Sequence, residues 1–185
     1  MRWLSFIAIF LLGGCGLFGG GDDNPIELPA ELTEFDATLT VRELWSTKVG
    51  GGAEALRLGL APATDGARIF AGSHSGQAAA FDSRGGQSHW DVRTDLALAA
   101  GPSYGEGAVV FGTSDGELLA LSAETGEERW VQEIGSEILA PPSIGSGVVV
   151  VRTVDGRLQG FSVIDGRELW SVEQTVPSLT MRGNT

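Results

Sequence analysis

The sequence ALSAETGEERW at residues 120–130 recurs, with small changes, forty residues earlier and forty residues later. The copies are AFDSRGGQSHW at residues 80–90 and GFSVIDGRELW at residues 160–170. Two residue series keep this spacing: Trp90, Trp130 and Trp170, and, four positions earlier, Gly86, Gly126 and Gly166. Independent series with one spacing do not arise from composition. The chain therefore contains an internal repeat of the length that stacked supersecondary units have.

Each repeat is predicted to consist of strands. In the middle unit the apolar runs are short, at residues 108–111, 118–121 and 130–131, and Asp115-Gly116 is a turn sequence between the first two. A forty-residue unit of about four short strands is typical of one β-propeller blade. Because neighbouring blades cover both faces of such a sheet, an unbroken apolar strand such as residues 148–151 is expected.

The pattern Ala-x-Asp-x-x-Thr-Gly-x-x-x-Trp, which all three copies follow with small departures, resembles the tryptophan-docking repeat of quinoprotein-like propellers. The resemblance implies an all-β propeller of four-stranded blades, eight in the full-length protein and about three complete ones in this chain. It also implies that each tryptophan lies on an outer strand and packs against the next blade, near the peptide of a glycine. An indole suits that position because it buries a large apolar area and donates one hydrogen bond.

Residues 1–14 are predicted to be a signal peptide. A lone positive charge at Arg2 precedes an apolar run at residues 3–12, which is too short to span a membrane. The sequence LGGC at residues 12–15 resembles the lipobox of bacterial lipoproteins, which implies acylation of Cys15 and attachment to a lipid bilayer. Gly16 then implies the outer membrane, on its periplasmic side. The alternative is an ordinary secretory signal with an incidental cysteine, although Cys15 has no second cysteine to pair with.

The remaining chain divides into a tether and a domain. Residues 15–40 carry glycine, proline and charge and are predicted to be a lipidated flexible tether. Residues 41–185 are predicted to be a partial β-propeller: a closing strand near 41–49, blades at about 59–93, 94–133 and 134–173, and the start of the next blade at 174–185. Since eight blades need more than three hundred residues, we expect a truncated half of a longer protein.

Charge and chemistry exclude several functions. The net charge of −12 counts against nucleic acid or anionic lipid headgroups as partners. His74 and His89 have no Cys or His companions at metal-ligand spacing, and Asp115 and Asp155 precede glycines as hairpin-turn residues. We therefore predict no catalytic residue, no metal and no cofactor.

The lipobox, the tether, residues 44–50 and the repeats together resemble the BamB family, lipoproteins of the outer-membrane β-barrel assembly machinery. Residues 176–183, VPSLTMRG, resemble the Pro-Ser-Leu-x-Leu-Arg-Gly segment of that family, with Met181 in place of leucine. The resemblance implies a non-catalytic scaffold that binds the periplasmic domains of the central barrel-assembly protein and assists outer-membrane protein precursors. By this match Leu179, Met181 and Arg182 contact the partner. Alternatively, Leu179 and Met181 begin the inner strand of the next blade.

A second hypothesis is a pyrroloquinoline-quinone-dependent dehydrogenase. By resemblance, those enzymes share the propeller but need calcium ligands, a catalytic aspartate and often adjacent cysteines. This sequence shows no such set. The sequence that follows Thr185 in the gene would discriminate between the two hypotheses.

Overall fold

The computed structural model describes residues 38–51, 56 and 58–173. The chain divides into two units, Met1–Thr40 and Val41–Thr185. Of the first unit only residues 38–40 are described, and they are exposed and form a bend. Within the second unit the described residues form strands and turns, without a helix and so without a helix that could cross a membrane.

The described part of the second unit contains short strands of two to eight residues. They are β1 (Gly59–Leu60), β2 (Ala63–Thr64), β3 (Arg68–Gly72), β4 (Gln77–Asp82), β5 (Ser88–Arg93), β6 (Leu98–Gly105), β7 (Ala108–Thr113), β8 (Glu117–Ser122), β9 (Glu128–Glu133), β10 (Ser143–Gly145), β11 (Val148–Arg152), β12 (Arg157–Ser162) and β13 (Glu168–Glu173).

These strands form three sheets in which neighbours along the chain pair antiparallel. The first sheet, β2-β3-β4-β5, is called blade 1. The second has the order β1-β6-β7-β8-β9, and its strands β6–β9 are called blade 2. The third, β10-β11-β12-β13, is called blade 3. Four-stranded meanders joined by short turns are propeller blades. The predicted all-β fold of four-stranded blades is confirmed.

Residues 41–49 are not part of a described sheet, and the closing strand predicted there stays a prediction, because it would need a partner that the described blades do not supply. One predicted boundary differs from the structure. Gly59 and Leu60, expected at the start of blade 1, instead pair in parallel with Ala100 and Gly101 at the free edge of β6. Parallel pairing of this kind depends on a distant strand and leaves no local signal.

The hydrophobic core lies between successive blades. One cluster joins blades 1 and 2: Phe70, Ala78, Ala80, Trp90, Leu98, Val109, Phe111, Leu119, Leu121 and Ala123. A second joins blades 2 and 3: Ala100, Ala108, Val110, Leu118, Ala120, Trp130, Ile134, Ile138, Val149, Val151, Phe161 and Val163. In β7, Val109 and Phe111 therefore belong to one cluster and Val110 to the other. Alternating side chains point to opposite faces, so covering on both faces explains why β7 is buried throughout.

Candidate partner-binding surface

In blades 1 and 2, the last strand carries a tryptophan that docks on the next blade. Trp90 of β5 donates from Nε1 to the carbonyl oxygen of Ala123, at 3.1 Å, in the turn between β8 and β9. Trp130 of β9 donates in the same way to the carbonyl oxygen of Val163, also at 3.1 Å, between β12 and β13. Burial of an indole whose N–H keeps a partner stabilises the junction without stranding a polar atom.

A glycine in each acceptor turn makes room for the indole. Gly126 has a φ of +75° and Gly166 a φ of +71°, a region that residues with a Cβ rarely adopt. A Cβ built on Gly126 would lie 2.7 Å from Cδ2 of Trp90, and one on Gly166 would lie 2.7 Å from Cδ2 of Trp130. Both the backbone angle and the contact therefore require glycine at these positions.

Trp45 makes the same contact on blade 1, although it lies on no strand. Its Nε1 donates to the carbonyl oxygen of Ser83 at 3.1 Å, and a Cβ on Gly86 would lie 2.7 Å from Cδ2 of Trp45. Its ring also lies 6.2 Å from that of Phe81. Trp45 thus contacts blade 1 in the way that Trp90, on the outer strand of blade 1, contacts blade 2.

An arginine adds a second cross-blade hydrogen bond. Arg68 of β3 donates from Nη1 to the Ala123 carbonyl at 2.6 Å, so that this oxygen accepts from both Trp90 and Arg68. Asp65 holds the guanidinium through an ion pair of 2.8 Å. Burial works against the charged carboxylate, but hydrogen bonds from Arg68 and Ala67 outweigh it and lower the pKa of Asp65. Asp65 therefore remains ionised and keeps Arg68 directed at blade 2.

Blade 3 presents an uncovered face. Trp170 is 38 % exposed, whereas Trp130, at the matching position of blade 2, is 8 % exposed. Leu158 of β12 and Val172 of β13, which pair with each other, are also exposed. That Trp170 docks on a following blade stays a prediction, because the described residues end with β13. Its indole lies instead against Gly160, where blades 1 and 2 have Ala80 and Ala120.

Two clefts lie beside the linker between β5 and β6. The larger, of about 440 Å³, is lined by residues of blades 1 and 2 that include Val92, Arg93, Glu127 and Val131. The smaller, of about 280 Å³, includes His74. The Nδ1 of that histidine lies 3.0 Å from the carbonyl oxygen of Leu98, a backbone contact.

No group of three or more His, Cys, Asp or Glu side chains that could hold a metal occurs among the residues that the structure describes. Some of the carboxylates there stabilise turns, as at Asp155. The Thr153 hydroxyl donates to the Asp155 carboxylate and Arg157 pairs with it at 2.8 Å. These contacts lower the pKa of Asp155 to about 2.

The predicted site residues divide into three groups. Trp90, Trp130, Gly126 and Gly166 lie at the junctions between blades, and Gly86 lies at the equivalent contact with Trp45. Trp170 lies on the exposed face of blade 3. Cys15, Leu179, Met181 and Arg182 lie outside the described residues.

The sequence analysis did not identify two residues as junction contacts, Trp45 and Arg68. The sequence signal for Trp45 was present, because residues 44–50 repeat the end of a blade. No local signal exists for Arg68, whose acceptor is 55 residues away.

The family comparison covers most of the blades. The family model described as outer membrane protein assembly factor BamB matches residues 74–185, more than half of the chain. The chain belongs to the BamB family. The match begins in blade 1 at the turn that holds His74 and runs through blades 2 and 3, so membership rests on the repeats whose junctions are described above.

Individual BamB proteins are similar to this chain over about half of its length. The outer membrane protein assembly factor BamB of Bordetella pertussis is 36 % identical over 93 residues, 50 % of this chain and 23 % of that protein. The one of Alkalilimnicola ehrlichii is 40 % identical over 102 residues, 55 % of this chain and 24 % of that protein. The matched part thus spans about a quarter of the length of these curated relatives.

Solved structures agree with the fold. The crystal structure of BamB from Moraxella catarrhalis has a TM-score of 0.59 and 30 % identity, covering 64 % of this chain and 37 % of that one. Quinohemoprotein alcohol dehydrogenase from Comamonas testosteroni has a TM-score of 0.54 at 22 % identity, covering 60 % of this chain and 20 % of that one. At that identity the second likeness shows the fold alone.

Proposed function

We propose that this chain is part of a non-catalytic scaffold of the outer-membrane β-barrel assembly machinery, which binds the central barrel-assembly protein and assists the folding and insertion of outer-membrane proteins. The observation that carries the proposal is the BamB family match over residues 74–185. The relatives in Bordetella and Alkalilimnicola are named outer membrane protein assembly factors. The proposed scaffold role is consistent with those names.

The junction geometry supports a scaffold because it makes the blades a rigid support. Trp90 and Trp130 fix successive blades through a buried ring and a hydrogen bond each, and Arg68 adds a charged contact to the first junction. Within the turns that join the third and fourth strands of each blade, positions 84, 124 and 164 are exposed and differ between the repeats, while the docking glycine is kept. Binding residues on turns held by a rigid frame lose little conformational entropy when a partner docks.

The location we propose is the periplasmic side of the outer membrane, with acylated Cys15 as the anchor. Residues 12–15 resemble a lipobox, and several acyl chains hold a soluble domain firmly on a bilayer. The net charge of −12 disfavours direct adsorption to anionic headgroups, so the lipid supplies the attachment.

The partner contact we propose is the segment of residues 176–183. Leu179, Met181 and Arg182 combine two apolar side chains with a guanidinium, which is the composition of a small binding hot spot. In an acidic chain, Arg182 would steer the segment toward carboxylates or carbonyl groups of the central barrel-assembly protein.

The test uses the full-length native protein and the purified central barrel-assembly protein. Replacing Leu179, Met181 and Arg182 together with alanine is expected to abolish co-purification while the melting temperature changes little. Glu128→Ala, an exposed residue of β9, is the matched control and should bind normally. Wild-type protein that does not bind would overturn the proposed function. Retained binding by the triple variant would remove the segment from the contact, and lost binding with a lowered melting temperature would assign the three residues to the next blade.

A further inference from the structure

Blade 3 differs from the other two blades near the end of its second strand. Blades 1 and 2 carry Gly72 and Gly112 there, whereas the matching position of blade 3 carries Arg152. A Cβ on Gly72 would lie 3.2 Å from Cδ1 of Leu98, and one on Gly112 would lie 2.7 Å from Cβ of Ile138. In both blades the glycine therefore leaves room for a large side chain that comes 26 residues later in the sequence.

The side chain of Arg152 lies on the uncovered face of blade 3. Val149 and Val151 of the same strand belong to the core cluster between blades 2 and 3, so Arg152 points to the opposite face. There it pairs with Leu158, which in turn pairs with Val172. All three residues are exposed. Because paired residues of adjacent strands point to the same side, they form one row across this face.

The earlier blades show what covers this row. The matching rows are Gly72, Ala78 and Val92 in blade 1 and Gly112, Leu118 and Gln132 in blade 2. Ala78 and Leu118, at the centre of each row, are fully buried. Leu98 begins β6 and Ile138 lies between β9 and β10, so the connection to the next blade reaches the glycine at the end of each row.

The sequence after β13 is matched to Arg152 in size. The residue 26 positions after Arg152 is Ser178, where the earlier connections have Leu98 and Ile138. Two blades thus combine a glycine with a large aliphatic residue, whereas blade 3 combines a large residue with a small one. Moving volume from one side of a contact to the other keeps the packing filled.

A cleft beside Arg152 has room for the same segment. Its volume is about 330 Å³, and it is lined by Leu139, Ala140, Arg152, Thr153 and Val154. Residues 59–60, which correspond to residues 139–140 two repeats later, pair in parallel with residues 100–101 of the next connection. The same register would bring residues 180–181 to the cleft.

An arginine that a following segment covers needs hydrogen-bond acceptors, because burying an unpaired charge is costly. Two other arginines of this chain find theirs in the backbone of a neighbouring element. Arg68 of blade 1 donates from Nη1 to the Ala123 carbonyl of blade 2 at 2.6 Å. Arg157 of blade 3 donates from Nη2 to the Ile134 carbonyl, which follows β9, at 3.3 Å.

We propose that residues 176–183 pack over Arg152, which positions this segment on blade 3 by donating hydrogen bonds to its backbone carbonyl groups. The consequence for binding rests on the proposed function. A segment that Arg152 holds in place loses less conformational entropy when the central barrel-assembly protein docks on it. Arg152 is therefore a positioning residue, and the partner contacts stay with residues 176–183.

Hydrogen exchange of residues 176–183 in the full-length native protein, without a partner, tests the positioning. R152G gives blade 3 the glycine of the other blades and should speed exchange in this segment about tenfold, the effect of losing a charged hydrogen bond. The matched control is R167Q, which removes a positive charge from an exposed position of the same blade and introduces the residue that blade 1 has as Gln87. It should leave the exchange unchanged. If R152G melts early, R152K carries the same expectation, because lysine lacks the planar guanidinium.

Melting temperatures of the full-length protein test the contact between residues 152 and 178. S178I alone should melt at a lower temperature, because isoleucine and the arginine side chain would compete for the same volume. The double variant R152G with S178I should recover most of the loss, because it repeats the combination of Gly112 and Ile138 in blade 2. Additive effects of the two substitutions would show that these residues are not in contact and would overturn the inference.

The outcomes distinguish this inference from the proposed function. Unchanged exchange in both R152G and R152K, with weaker binding of the central barrel-assembly protein, would mean that Arg152 contacts the partner itself and would overturn the inference. Wild-type protein that does not bind the partner would overturn the proposed function alone, because exchange and melting are measured without a partner.

Discussion

Trp130 lies directly on the backbone of Gly166, and its Nε1 donates to the carbonyl oxygen of Val163 three residues before that glycine. The indole belongs to blade 2 and the turn to blade 3, so one side chain joins two blades. Trp130 is only 8 % exposed. Removing it would leave a cavity at the junction and one carbonyl without its donor.

We therefore expect Trp130→Ala to lower the free energy of unfolding by about 3–5 kcal/mol, the usual result of truncating a buried aromatic residue. Urea denaturation of the full-length native protein measures the change. Glu128→Ala, two positions earlier and exposed, is the control and should change stability little. Equal losses from both substitutions would show that the indole does not hold the junction.

The glycine side of the contact can be tested separately, because a second glycine has the same backbone angle and open space around it. Gly126 has a φ of +75° and Gly135 a φ of +76°, but only a Cβ on Gly126 would meet an indole. Gly135→Ala should cost about 1–2 kcal/mol for the left-handed conformation alone. Gly126→Ala should cost about 1–3 kcal/mol more, since Trp90 must move. Equal melting temperatures for the two variants would exclude a steric role for Gly126.

The blades could be predicted from sequence because their signals are local and repeated. The second, third and fourth strands of the blades recur every forty residues, and so do the docking glycines. Gly126 and Trp130 therefore mark the same unit in blade 2 that Gly166 and Trp170 mark in blade 3. The docking partners are non-local, yet the repeat supplies them as well: Trp90 and Trp130 each bind a carbonyl 33 residues further along the chain.

Other features could not be predicted because one copy differs from the rest. Leu60 pairs with Gly101 at the edge of β6, a contact that the repeat gives no reason to expect. Trp170 follows the pattern in sequence but not in burial, since its acceptor would lie beyond the described blades.

The turn at Asp155 predicts a dependence on pH. A hydrogen bond from the Thr153 hydroxyl, together with bonds from Arg157, lowers the pKa of Asp155 from 3.8 to about 2. Because the pKa is lower in the folded state, the stabilisation is fully present above about pH 4 and is lost as the pH falls toward 2. Asp155→Asn should therefore lower the melting temperature slightly at pH 7, and the difference from the wild type should shrink below pH 4.

The matched control for that experiment is Asp115→Asn in blade 2. There the hydroxyl of Thr113 lies 3.5 Å from the Glu117 carboxylate, so the turn uses a different acid. We expect Asp115→Asn to change the melting temperature at pH 7 less than Asp155→Asn does. A difference between Asp155→Asn and the wild type that stays constant from pH 7 to pH 2 would contradict the assignment.

The proposed lipid anchor at Cys15 predicts that removing it changes the location of the protein. Cys15→Ser removes the thiol that would be acylated and should move the protein from the membrane fraction to the soluble periplasmic fraction. The control is a second serine substitution at Gly16, which leaves the thiol in place. Measured in a strain that lacks the central barrel-assembly protein, a Cys15→Ser variant that still sediments with membranes would exclude the anchor.

A buried glutamine in blade 3 predicts a substitution that stabilises the protein. Gln159 is 4 % exposed, and its Oε1 has no hydrogen-bond partner among the residues that the structure describes, while its Nε2 lies 3.4 Å from Oε2 of Glu168. Blade 2 has the fully buried Leu119 at the matching position. Leaving a buried acceptor unpaired costs about 1–3 kcal/mol, and an apolar side chain of similar size avoids that cost. Gln159→Leu should therefore raise the free energy of unfolding by about 1 kcal/mol, even though it gives up the weak contact with Glu168.

The reverse change in blade 2, Leu119→Gln, should lower the free energy of unfolding by more than about 1 kcal/mol, because it adds an unpaired amide to a packed cluster. Urea midpoints of the two variants decide the matter: a destabilised Gln159→Leu would mean that Oε1 has a partner in solution, such as a water held between blades 2 and 3.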